Sequence, residues 1–152
     1  MSSAPRFIHL RLHTEYSLLE GAVPVKKLAA MCAGAGMPAV AVTETNNMFS
    51  ALQFSELAAG AGVQPIVGCT LAVEFGDGAD DADANRGPNT RQPVPTLALI
   101  GKDEAGYGNL LKLTSSAFLD HDSAEDPHIS FEALKEHSDG LICLTGGPDG
   151  AV

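Results

Sequence analysis

Residues 37–44 read MPAVAVTE, and the fold class turns on this run. From Pro38 to Val42 every side chain is apolar. The run is too short for a membrane span and has the character of a strand buried on both faces in a parallel sheet. Helical patterns stand on either side of it. Before it, VPVKKLAAMCAGAG (23–36) sets Val25, Leu28, Ala29 and Cys32 at helical spacing behind Pro24 and ends in glycine. After it, NNMFSALQFSELAAGAG (46–62) sets Met48, Ala51, Phe54 and Ala58 on one helical face, with Asn46 placed as its N-cap.

Further out the same rhythm continues. RFIHLRL (6–12) reads as a first strand, VQPIVGCTLAVEF (63–75) as a third, PTLALIGK (95–102) as a fourth and GLICLTGG (140–147) as a fifth. DEAGYGNLLKLTSSAFLD (103–120) reads as a helix with Tyr107, Leu110, Leu111, Thr114 and Phe118 in register. Ser130 is placed to cap a short helix, with Ile129 and Leu134 as its hydrophobic staple and His137 at its end. Strands alternating with helices predict βαβ units and a mainly parallel sheet. The segment 76–95, GDGADDADANRGPNTRQPVP, has no periodic apolar face and reads as a solvated acidic loop. The chain stops just after its fifth strand, which suggests a piece of something longer.

The chain has 152 residues, about one domain, and a formal net charge of −10. That balance argues against a surface that grips nucleic acid, because phosphate neutralisation needs clustered Lys and Arg. No run of apolar residues is long enough for a membrane span, and the first ten residues lack the pattern of a signal peptide. Cys32, Cys69 and Cys143 are odd in number and sit in apolar runs, as expected of reduced core cysteines in a cytoplasmic protein.

Groups that do chemistry in α/β folds gather at the carboxyl ends of strands. Those ends supply His13, Thr14 and Glu15, then Thr43, Glu44, Thr45, Asn46 and Asn47, then Cys69 and Thr70. In HLRLHTEYS (9–17), alternation along a strand would point His9, Arg11 and His13 one way. Two imidazoles suit a divalent metal, and a guanidinium between them repels it. His121 and His128 lie in polar sequence and read as solvated. There is no nucleophile elbow and no phosphate-binding glycine loop.

FIHLRLHTEYSLLEGA, PAVAVTETNNMFSALQF, GVQPIVGC and DEAGYGNLLKL, in that order, resemble the amino-terminal polymerase-and-histidinol-phosphatase (PHP) domain of bacterial DNA polymerase III alpha subunits. The resemblance runs from about Phe7 to the end and makes residues 1–152 the first part of such a domain, apart from the acidic 76–95 loop. It implies a distorted (β/α)7 barrel, present here as its first strands and helices. In members that keep the ligands, a metal cluster sits at the barrel mouth, with motifs H-x-H-x-H and T-D-H and a glutamate ending the third strand. Carried over by position, His9 and His13 match the outer histidines of the first motif and Arg11 replaces the middle one. Glu44 stands for the aspartate, Thr45 for the next histidine and Thr70 for the glutamate. Any later ligands would lie beyond Val152.

The resemblance therefore implies a vestigial site that holds no metal and catalyses nothing, in a segment that serves as a scaffold. It further implies an ion pair between Arg11 and Glu44 standing where the metal was. The implied partners are the remainder of the alpha subunit, a proofreading exonuclease and the replicase holoenzyme, with no membrane. The parent would contact DNA and use Mg²⁺ in a palm domain absent from these residues. The alternative is an active metal-dependent phosphoesterase, either a proofreading nuclease in cis or a free-standing phosphatase.

Overall fold

The computed structural model describes residues 7–76, 94–120 and 126–145. Most of the acidic 76–95 segment, His121 and the run after residue 145 lie outside the described residues. Helix α1 (Val25–Gly34) leads into strand β1 (Ala39–Thr45), followed by helix α2 (Ala51–Gly60) and strand β2 (Gln64–Glu74). Then come β3 (Thr96–Gly101), α3 (Glu104–Leu119), the two-residue β4 (Ile129–Ser130), α4 (Phe131–Glu136) and β5 (Leu141–Leu144).

The first half follows its sequence pattern closely. Helix α1 buries Val25, Leu28, Ala29 and Cys32, and α2 buries Ala51, Phe54 and Ala58. Both helices end the same way. Gly36 and Gly62 take φ angles of 69° and 72°, which lets Met37 N donate to Cys32 O and Val63 N donate to Ala58 O, each at 2.9 Å. Between the helices, β1 is buried along its length from Ala39 to Glu44. Val25, Leu28, Ala29 and Cys32 of α1, Val40 and Val42 of β1, Phe54 and Ala58 of α2, and Val63 form one core.

The sheet order is β1–β2–β3–β5, with β4 paired to β2. β1 and β2 are parallel, in register from Ala39 opposite Gln64 to Thr45 opposite Thr70. β3 runs antiparallel to β2, and β5 antiparallel to β3. The expectation of a mainly parallel sheet is thus corrected at β3. A parallel neighbour needs a crossover element packed on the sheet face, and the sequence between β2 and β3 has no apolar face to supply one.

The second core joins β2 and β3 to α3 and α4 through Leu71, Leu99, Leu110, Leu113, Ile129 and Leu134. Ser130 caps α4, accepting from Ala133 N at 3.1 Å, and Ile129 and Leu134 are both buried on either side of the cap. Helix α3 is rotated from its expected face: Gly106, Leu110, Leu113 and Ala117 are buried, while Tyr107, Leu111 and Phe118 are exposed. Gly106 decides this. A Cβ there would lie 1.9 Å from Gly140 O, so its bare face is pressed onto the turn before β5. Asp103 caps the helix, accepting from Gly106 N at 3.0 Å.

All three cysteines are free, but Cys143 is exposed on β5 rather than buried. His128 is not solvated as expected. It is partly buried, with Nδ1 2.9 Å from Asp126 O and Nε2 3.7 Å from Glu74.

Candidate functional site: a closed hydrogen-bond hub at the end of β1

The segment 7–13 lies along β1 but is not a regular strand. Ala41 N donates to His9 O at 2.8 Å and Thr43 N donates to Leu12 O at 2.9 Å. Two residues of β1 therefore span three of its neighbour, and the extra residue is taken up in a bend at Leu10 and Arg11. The bend breaks the alternation on which a shared face for His9, Arg11 and His13 rested. Arg11 is exposed, while His9 and His13 are partly buried.

Glu44, at the end of β1, is 1% exposed. Its carboxyl group accepts from four donors in two loops. Thr14 N donates at 3.0 Å and the Thr14 hydroxyl also donates; Ser17 Oγ donates at 2.5 Å and Ser50 Oγ at 2.9 Å. Two of those hydroxyls themselves accept from backbone: Ser17 Oγ from Thr45 N at 3.0 Å, and Thr14 Oγ1 from Tyr16 N at 3.3 Å. Every dipole points inward onto one acceptor-only group, which is how a buried carboxyl is compensated without a cation. Asn47 ties the same loops together, donating to Tyr16 O at 3.1 Å and Thr45 O at 2.9 Å.

The expected Arg11–Glu44 ion pair is not formed. Both Glu44 oxygens are occupied by Thr14, Ser17 and Ser50, and the bend carries the guanidinium to the surface.

Outside the hub lies a smaller rim cluster. Thr45 Oγ1 donates to Glu20 at 2.5 Å and lies 3.1 Å from His13 Nδ1, which is itself 3.0 Å from Glu20. Thr45 and Glu20 both meet the same imidazole nitrogen, so no nucleophile–imidazole–carboxylate relay is set up. On the neighbouring strand, Thr70 Oγ1 donates to Thr43 O at 3.1 Å and is spent inside the sheet. Cys69 Sγ is buried against Glu44 O at 3.3 Å and Asn47 O at 3.4 Å, and burial pushes its thiol up to about 12. Such a thiol is inert as a nucleophile.

Asn46 does not cap α2 as expected. It takes a left-handed φ of 54° and its N–H goes to Thr70 O at 2.9 Å, while the helix begins after Ser50.

Residues 9–152 match the PHP domain family. The chain belongs to that family. Similar curated proteins are the DNA polymerase III alpha subunits of Caulobacter vibrioides (43% identical over 96% of this chain) and Pseudomonas fluorescens (39% over 96%). The chain spans only 12% and 11% of those two relatives. Among solved structures, an amidohydrolase from Chromobacterium violaceum overlaps 72% of this chain and 34% of its own, at 18% identity and a TM-score of 0.48.

For a PHP domain the question is whether these residues fit a metal cluster, and those described do not. No three His, Cys, Asp or Glu among them are grouped to hold an ion. The one fully buried carboxyl has no free oxygen, Thr45 and Thr70 offer only hydroxyls already in use, and Arg11 is turned outward.

Ser17, Ser50 and Glu20 were absent from the sequence-derived candidates. A usable signal was present: a lone carboxyl at the end of an apolar strand must find donors, and T-x-x-S at 14–17 and the serine before α2 were the nearest hydroxyls.

Proposed function

We propose that this PHP segment acts as a scaffold within the catalytic alpha subunit of a bacterial replicative DNA polymerase, with its ancestral metal site converted into structure. The observation that carries the reading is Glu44, whose carboxyl group is committed to Thr14, Ser17 and Ser50. A group that ties its own loops together is unavailable to a metal or a reacting water. The family membership and the similarity to alpha subunits support the parentage.

In this reading the segment is not itself catalytic. The parent, in the cytoplasm, adds deoxynucleotides to a primer with Mg²⁺ bound in a palm domain outside these residues, and it is the parent that contacts DNA. The segment docks a proofreading exonuclease and, through the rest of its subunit, joins the replicase holoenzyme. The net charge of −10 favours protein contact over phosphate contact.

Elemental analysis and a phosphoesterase assay with Mn²⁺ or Zn²⁺ test the reading on a phosphate monoester and a mismatched primer end. The expected result is substoichiometric metal and no metal-dependent turnover. Stoichiometric metal with turnover that falls in Glu44→Gln would overturn it in favour of an active phosphoesterase.

A further inference from the structure

We draw no further inference here: the strongest candidate, the exposed apolar patch of Leu18, Leu19, Phe49 and Leu52 on the two loops that meet at Glu44 and on the first turn of α2, carries none because nothing in the structure shows what covers it.

Discussion

Glu44 and Arg11 occupy neighbouring tracks at the same end of the sheet, and the structure treats them oppositely. Glu44 is buried and receives four hydrogen bonds. Arg11 sits in a bend and is exposed. The difference teaches that a buried carboxyl group need not be compensated by a nearby cation. Here the carboxyl group is satisfied by three hydroxyls and a backbone N–H, and the arginine lies exposed in a bend made by one extra residue of backbone. A buried ion pair carries a desolvation cost for both partners, whereas neutral donors desolvate cheaply and can surround a carboxyl group from several sides.

The comparison is broken most directly at Glu44. Glu44→Leu strands four donors in a dry site, and at about 1–3 kcal/mol per unsatisfied group, with incomplete additivity, the loss should be about 4 kcal/mol or more. Urea denaturation should show it as a large fall in midpoint at unchanged slope. Glu44→Gln keeps an acceptor but turns an amide toward hydroxyl donors, so it should fall between Glu44→Leu and the parent.

Alkaline pH probes the same buried region through Cys69, whose thiol is pushed up to about 12 from 9.0. Below about pH 9 the thiol is protonated in folded and unfolded chains alike, and its full contribution is present. Above that, the unfolded chain releases its proton first, so stability falls as pH rises toward 12, by at most about 1.4 kcal/mol per pH unit. The measurement is the difference between the parent and Cys69→Ala in denaturation series from pH 8 to pH 11. That difference should grow with pH in favour of Cys69→Ala.

The rim should matter less. Thr45→Val removes the bonds to Glu20 and His13 in a partly solvated cluster, and should cost about 0.5–1 kcal/mol in thermal melts. The smallest effect is expected at Arg11. Arg11→Met should change stability by less than about 0.5 kcal/mol, as for other surface positions. A double-mutant cycle with Glu44→Gln should show coupling below about 0.5 kcal/mol. Strong coupling there would restore the ion pair and erase the contrast between the two sites.

The elements that periodicity marked most strongly are present, and where periodicity allowed two answers it misled. In α1, Val25, Leu28, Ala29 and Cys32 are the only set at helical spacing, and they form the buried face. In α3, the expected set 107–110–111–114–118 and the buried set 106–110–113–117 both fit a helix; they share Leu110 and otherwise differ by one residue of rotation. The choice falls to Gly106 against the backbone of Gly140, a contact between residues far apart in sequence. The candidate site divides the same way. Glu44 and Thr14 were legible as strand-end residues, but Ser17 and Ser50 were not, because hydroxyls in loops carry no periodic signal.

By itself, the sequence determined the α/β class, the faces of the first two helices and the capped turn at Ser130. Each of these depends on residue type at short range. Only the tertiary structure decided that β3 runs against its neighbour, that Arg11 leaves the site and that Glu44 is held by three hydroxyl side chains and one backbone N–H. The physical reason is common to all three. Strand sense depends on what can cover the sheet, a side chain's direction depends on the register of the backbone beside it, and a buried carboxyl group takes whichever donors the folded loops bring within reach.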